Sequence, residues 1–128
     1  MILMIQSSKP RKQREFRFNS SGLHVRQKFA SAHIAKDLAK KLGIKRRAIE
    51  VRKGDTVKVM AGSNRGKIGK VSAVSLKRSK LFIEGIVRKN AKGKEHPIPI
   101  HVSSVYITDL DLNDKLRKAR IEAFKTKV

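Results

Sequence analysis

The segment best suited to ligand chemistry lies in the middle of the chain. Three glycines fall there within eight residues, with polar or basic side chains between them: Gly62, Ser63, Asn64, Arg65, Gly66, Lys67 and Gly69. A tight loop of this composition presents backbone amides and cations to an anion. Loops that bind nucleotide phosphates lead from a strand into a helix and often end in Gly-Lys-Ser/Thr. This loop leads into another strand pattern, so we expect no nucleotide site.

The four histidines do not form a catalytic or metal-binding pattern. His96 and His101 would face opposite sides of a strand, and His24 and His33 lie far apart in the sequence. No clustered carboxylates accompany either pair, and the chain has no cysteine. Acid–base, nucleophilic and metal chemistry need such clusters. We therefore expect no enzyme activity, no metal, no cofactor and no small-molecule substrate, and for His33 a packed or helix-terminal imidazole is favoured over a catalytic one.

The charge of the chain indicates a polyanionic partner. Lys and Arg number 32 against 10 Asp and Glu, a formal net charge of +22. Residues 1–50 carry 13 basic and 3 acidic side chains, and residues 51–100 carry the same numbers. Such a surface binds phosphate backbones and releases their counterions. With one Tyr and no Trp, recognition by shape and backbone is favoured over base stacking.

The densest basic segment, residues 9–17, reads KPRKQREFR. This composition cannot fold by itself, so the segment is either a solvated, disordered tail or an arm that orders on a phosphate backbone. The charge of the whole chain favours the arm.

Strands are predicted in the middle of the chain, where eight of the ten valines lie. Val57 and Val59 alternate with polar residues, and the turn pair Gly54 and Asp55 precedes them, with a carboxylate that can hold the turn's backbone amides. Gly69 indicates a bulge or a sharp bend. Four more strands follow, separated by basic turns: 67–76, 80–87, 97–102 and 105–110. Five short strands predict a small, strongly bent antiparallel barrel.

Helices are predicted on either side of the barrel. Residues 23–30 and 32–42 have helical apolar spacing, and Gly43 ends the second helix. A third helix at 113–124, with Asn113 as its cap, docks on the barrel or on a neighbouring protein. The predicted organisation begins with a basic arm over residues 1–22 that is partly disordered when free. Short helices over residues 23–50, the barrel over residues 51–112 and a last helix over residues 113–128 follow.

The barrel region and its flanks resemble a known family. Residues 53–59, Gly62 and residues 65–71 resemble the KOW motif. Residues 24–28, 31–38 and 98–112 resemble flanking segments of one KOW family, the archaeal form of large-subunit ribosomal protein twenty-four. We judge that the resemblance covers most of residues 9–124. The KOW motif is shared with transcription factors, but its combination with the upstream segment is specific.

The resemblance implies an SH3-like KOW barrel with flanking helices. It also implies binding to the 5′ domain of large-subunit ribosomal RNA, support of early subunit assembly, and a cytoplasmic location in the large subunit near the polypeptide exit tunnel, beside other ribosomal proteins. Charge and motif together predict these RNA-binding residues: Lys9, Arg11, Lys12, Arg14, Arg17, His24, Arg26, Lys28, His33, Arg46, Arg47, Arg52, Lys53, Ser63, Asn64, Arg65, Lys67, Lys77, Arg78, Lys80, Arg88, Lys89 and Lys92. The predicted turn or barrel residues are Gly54, Asp55, Gly62, Gly66 and Gly69.

The chain departs from the family pattern at three places. Ala35 stands where relatives commonly have a capping Ser, and Ser31 is a candidate replacement. Val102 stands where relatives have Pro, which frees a backbone amide. Residues 1–8 match no counterpart, and Met4 is an alternative start.

Two other functional classes stay open. A KOW transcription elongation factor would place a sizeable α/β domain before the barrel, whereas about fifty basic, valine-poor residues precede Val51. A small RNA-modifying enzyme would need an acid, base or nucleophile cluster that the sequence lacks. The absence of cysteine and of an apolar run near 20 residues predicts an intracellular soluble protein without membrane contact.

Overall fold

The computed structural model describes residues 7–19 and 22–125, apart from the side chains of Arg17 and Phe18. Within these ranges the chain forms four α-helices, seven strands and one 3₁₀ turn. In order they are α1 Pro10–Asn19, α2 Leu23–Phe29, β1 Ser31–Ile34, α3 Lys36–Leu42, β2 Ala48–Glu50, β3 Thr56–Val59, β4 Ile68–Ser75, β5 Lys80–Lys89, β6 Glu95–His101, the 3₁₀ turn Val102–Ser104, β7 Val105–Asp109 and α4 Lys115–Ala123.

The strands form one curled sheet in the order β2-β1-β7-β3-β4-β5-β6. β7 returns to pair with β3, and only the β1–β7 pair is parallel among the described strands. The register between β5 and β6 shifts between Phe82 and Val87, which bends the sheet. The predicted mainly β, barrel-like fold with flanking helices is confirmed. The five predicted strands are present as β3–β7. Among the described residues, β1 and β2 extend the sheet to seven strands, and it stays open between β2 and β6.

The core lies inside this curl and is built from alternating strand residues. Val57 and Val59 are 0% and 1% exposed, as their alternation predicted, and Ile107 on β7 is also fully buried. Ile121 of α4 is buried as well, so the last helix completes one side of the core. No helix in residues 7–19 and 22–125 combines the length and apolarity needed to span a membrane.

The prediction of a helix over residues 32–42 was wrong for residues 32–35 and is confirmed for Lys36–Leu42. Residues 31–34 form β1, with Ala32 and Ile34 buried, and α3 begins only at Lys36. The Ala35 N–H donates to the Ile107 carbonyl at 2.9 Å, which extends the sheet contact to the start of α3. Four residues are too few to separate strand from helix by period, and tertiary pairing decides between them. β2 was also missed, because it has three residues.

The basic arm contains a helix that was not predicted from its sequence. Pro10 occupies its first position, which suits proline because that N–H has no helical partner. The Phe16 ring packs edge-to-face on Phe29 of α2, with centroids 6.4 Å apart. This ring contact anchors the arm to the domain. Its partial disorder in the free protein stays a prediction.

The ends of the other helices correct two expectations and agree with a third. Asp114, not Asn113, caps α4 by accepting the Leu116 N–H at 3.0 Å, and Leu116 itself is exposed. No side chain caps α3 at Ala35. Ser31 does not replace the missing cap, because its hydroxyl donates to the Lys28 carbonyl.

The amide that Val102 retains in place of proline has a structural role. Its N–H donates to the Ser79 carbonyl at 3.1 Å, which joins the turn after β6 to the turn between β4 and β5. The departure from the family pattern therefore adds a hydrogen bond and leaves the barrel-like fold intact.

Candidate nucleic-acid interface

The glycine-rich loop between β3 and β4 projects its cations into solvent. Gly62 and Gly66 have φ of +90° and +88°, a conformation that favours glycine. The loop is closed by two hydrogen bonds, from Gly66 N–H to the Val59 carbonyl at 2.8 Å and from Val59 N–H to the Lys67 carbonyl at 2.9 Å. A Cβ at either glycine would have no described atom within 4 Å. The glycines therefore shape the loop and leave open space beside it.

The polar residues of this loop are exposed or half-buried. Arg65 and Ser63 are exposed, and the Lys67 ammonium donates to the Asn64 side-chain carbonyl at 3.1 Å. The loop thus presents two cations, Arg65 and Lys67, on a backbone held by its turn hydrogen bonds. Such a surface suits a phosphate backbone.

Position 69 requires glycine for a different reason, which is the space available to a side chain. A Cβ there would lie 2.7 Å from the Glu84 carbonyl oxygen and 2.7 Å from a methyl of Ile83. The backbones of β4 and β5 approach closely at this point. The predicted bulge lies farther along, where the β4–β5 register shifts between Val71 and Ala73.

The Asp55 carboxylate holds the turn before β3, as predicted, and also makes contacts beyond that turn. Gly54 has φ of +98°, and the fully buried Asp55 carboxylate accepts the Arg52 N–H at 3.0 Å. It also accepts the Asp111 N–H at 3.0 Å and two hydrogen bonds from Arg117 of α4. The turn and the last helix therefore share one buried carboxylate.

Arg52 lies at the edge of this assembly, beside the exposed Lys53. Its guanidinium donates to the Asp114 carboxylate at 2.7 Å. That hydrogen bond, with a second from the Leu116 N–H, holds the pKa of the Asp114 carboxyl below its ordinary value. The N-terminus of α4 is thereby connected to the turn before β3.

The remaining predicted cations lie on the arm and on two turns. Lys9, Arg11, Lys12 and Arg14 are exposed, while the Arg17 side chain lies outside the described residues. The β4–β5 turn presents Lys77 and Arg78, with Lys80 half-buried behind them. The three predicted cations of the β5–β6 hairpin are also exposed: Arg88, Lys89 and Lys92.

The histidines do not meet at a reactive site. His33 is exposed on β1, and its ring contacts Tyr106 edge-to-face with centroids 5.9 Å apart, so it neither packs in the core nor ends a helix. His24 is exposed and Arg26 half-buried on α2. Within residues 7–19 and 22–125, no three His, Cys, Asp or Glu side chains are grouped to hold a metal.

A basic cleft brings together cations from distant parts of the described chain. It has a volume of about 410 Å³ and lies between α2, β2 with the segment before it, and α4. Three predicted RNA-binding residues line it, Lys28, Arg46 and Arg52, together with Arg120 of α4. The Arg46 guanidinium carbon lies 4.4 Å from the centroid of the Phe124 ring. Arg47, the next residue after Arg46, is exposed and does not line this cleft.

Sequence reasoning missed Arg120, Arg117 and Phe124. Residues 101–128 carry 6 basic and 4 acidic side chains, so local charge gave no signal there. The apolar spacing of α4 predicted that the helix docks, but no local pattern marks which of its basic residues are buried or line the cleft.

The acidic residues neutralise only a small part of the surface. Ion pairs form at Glu15, Glu50, Asp55, Glu95 and Asp114, each with one Arg or Lys. Since 10 acidic residues face 32 basic ones, the exposed loops and the arm stay strongly positive. Fold and surface together define a small, basic, barrel-like protein of the KOW type with several surfaces for a polyanion.

Comparison with known proteins agrees with this class. The family of ribosomal proteins L26 of eukaryotes, with their archaeal L24 counterparts, matches residues 7–123. The large ribosomal subunit protein uL24 of Korarchaeum cryptofilum is 44% identical over 126 residues, 98% of this chain and 94% of the relative. The same-named protein of Saccharolobus solfataricus is 48% identical over 119 residues, 93% of this chain and 98% of the relative. The chain therefore belongs to this family of ribosomal proteins, which is not an enzyme family.

Proposed function

We propose that this protein is a structural constituent of the large ribosomal subunit that binds the 5′ domain of large-subunit ribosomal RNA through phosphate contacts. In this proposal it supports early subunit assembly in the cytoplasm and lies near the polypeptide exit tunnel, beside other large-subunit proteins. The family membership over residues 7–123 carries the proposal. The net charge of +22 supports an RNA partner.

The contacts within the chain support a mechanism for this binding. The buried sheet core and the Asp55–Arg117 pair hold the turns in fixed relative positions. Arm, loop and hairpin cations then meet phosphates of a folded RNA, and each contact releases condensed counterions. Backbone contacts of this kind set orientation and register without reading base identity.

The salt dependence of RNA binding tests this mechanism. A surface of this charge is expected to neutralise about eight phosphates, so log K should fall with log salt by about 0.7 to 0.9 per contact. The measurement is a filter-binding or fluorescence titration of the full chain with a 5′-domain transcript at several salt concentrations. A slope near zero contradicts the electrostatic mechanism, and equal affinity for an unrelated folded RNA contradicts the assignment to this domain.

Sedimentation separates the ribosomal proposal from the transcription-factor alternative. The native protein should travel with the large subunit in moderate salt, and crosslinks within purified subunits should reach neighbouring proteins around the exit tunnel. Co-sedimentation with RNA polymerase in place of the subunit would favour the elongation factor. That alternative has less support, because the family match includes the residues before the barrel.

A further inference from the structure

We infer that the basic cleft between α2, β2 and α4 receives a single nucleotide displaced from the stack of the bound RNA. Its base lies against the Arg46–Phe124 pair and its phosphate lies near the cations Lys28 and Arg46. This inference rests on the proposed function and specifies one part of the RNA that the protein binds.

The shape of the cleft suits a nucleotide better than a continuous backbone. Its volume of about 410 Å³ lies in the range of sites that enclose small ligands. A phosphate backbone running over a surface needs no concavity. The floor is apolar, since Ile49 and Ile121 line it and are buried, so it can exclude water from one face of a base.

The charge of the cleft favours an anionic occupant. Lys28 and Arg46 have no acidic partner among the residues that the structure describes. The one acidic lining residue, Glu50, is engaged by Arg120 at 3.6 Å. Arg52 is held at the rim by Asp114. The unneutralised cations are therefore Lys28 of α2 and Arg46 of the segment before β2, and both attract a phosphate in the cleft.

The Arg46–Phe124 contact provides the place for a base. With its guanidinium carbon 4.4 Å from the ring centroid, Arg46 is held by a cation–π interaction on one side, and its exposure leaves the other side accessible. Guanidinium planes and aromatic rings both stack on unpaired RNA bases. Stacking on this pair does not depend on which base is present, and this agrees with recognition of RNA by shape.

Arg46→Lys is the most direct test, because it keeps the charge and removes the planar group. We expect affinity for the 5′-domain transcript to fall about tenfold with an unchanged salt slope, since base stacking is not a counterion effect. Arg46→Gln should lower affinity further and also reduce the slope. Lys118→Gln, on the exposed side of α4, is the matched control and should stay within about twofold of wild type.

Chemical probing of the same complexes locates the nucleotide. Wild type should protect one unpaired base from base-specific reagents, and Arg46→Lys should lose that protection while retaining the phosphate protections elsewhere. Wild-type affinity in Arg46→Lys, or the absence of a protected unpaired base, overturns the inference. Failure of the wild type itself to bind the transcript is a different result, and overturns the proposed function.

Two further measurements separate the possible occupants. Uridine 5′-monophosphate added to the full chain should shift the amide resonances of Glu50, Ile121 and Phe124 more than inorganic phosphate does. Equal shifts would show a simple anion site and overturn the nucleotide assignment. In purified large subunits, a crosslink from Lys28 to RNA supports the inference, and a crosslink only to another protein overturns it.

Discussion

The Arg117 guanidinium of α4 clamps the Asp55 carboxylate with two hydrogen bonds of 2.5 and 2.6 Å, although the residues are 62 positions apart. Their side chains are 4% and 0% exposed. Arg117 also donates to the Asp111 and Glu50 carbonyls, and Asp55 also accepts two backbone N–H groups. A buried ion pair with its other donors and acceptors occupied persists because breaking it leaves a buried charge uncompensated.

Removing one member of this pair should destabilise the protein strongly. Asp55→Asn or Arg117→Met is expected to lower the free energy of unfolding by about 3 to 5 kcal/mol, because the remaining charge stays buried without its partner. Urea unfolding followed by circular dichroism measures this. Arg120→Met, which removes the more exposed pair with Glu50, is the control and should cost less than about 1 kcal/mol. Equal losses in all three variants would contradict a special role for Asp55 and Arg117.

Val57→Asp should unfold the domain. Val57 is 0% exposed, so the substitution buries a carboxylate with no partner, and loss of RNA binding follows only from loss of folding. Val87→Asp places the same side chain on β5 at a position 45% exposed and should leave a cooperative transition. Thermal melts of the two variants make the comparison, and a folded Val57→Asp protein would refute the assignment of the core.

Replacing Arg65 and Lys67 together by Ala should weaken RNA binding with little change in stability. Both side chains are exposed, and exposed charges contribute little to folding. We expect the salt slope to flatten by one or two contacts. Lys115 and Lys118 replaced by Ala form the control with the same loss of charge. An unchanged affinity and slope in the Arg65 and Lys67 variant would show that this loop is only a connection.

Deleting residues 1–20 should leave the domain folded and reduce its affinity for RNA. Among the residues whose side chains are described, the buried core begins at Ala30, and the Phe16 ring of the arm contacts Phe29 of the domain. The deleted segment carries several phosphate-binding candidates, so the salt slope should also fall. Unfolding curves and RNA titrations of the truncated chain test both points. Loss of the cooperative transition would show the arm to be part of the core.

The stability contributed by Asp114 should decrease as the pH falls into the acid range. Hydrogen bonds from the Arg52 guanidinium and the Leu116 N–H lower the pKa of its carboxyl from the ordinary value of 3.8. A carboxyl with a lowered pKa in the folded state stabilises above its unfolded pKa, and this contribution is lost as the pH falls through the folded pKa.

Asp114→Asn tests that dependence, because Asn still caps a helix but carries no charge. Wild type should be the more stable protein above about pH 4, and the difference should shrink in more acidic solution. Urea midpoints of both proteins across the acid range provide the measurement. A difference that does not change with pH would contradict the ion-pair contribution.

Local patterns were sufficient for much of the fold. The alternation of Val57 and Val59, the glycines at Gly54, Gly62 and Gly66, and the net charge of +22 predicted the barrel-like core, its turns and a polyanionic partner. Each of these signals depends on residues that are neighbours in the chain or on composition. The strand and turn predictions are confirmed because strand period and the left-handed turn conformation are local properties.

Tertiary structure alone decided three features. β1 became a strand because Ala32 and Ile34 face the core and β1 pairs with both β2 and β7. Arg117 is buried and Arg120 is not, although both lie on one basic helix. The cleft that joins Arg46 to Phe124 exists only after α4 docks. The sequence could not show these features, because the energy of a buried ion pair or a shared cleft depends on which distant segments meet. The local spacing of residues carries no information about those long-range contacts.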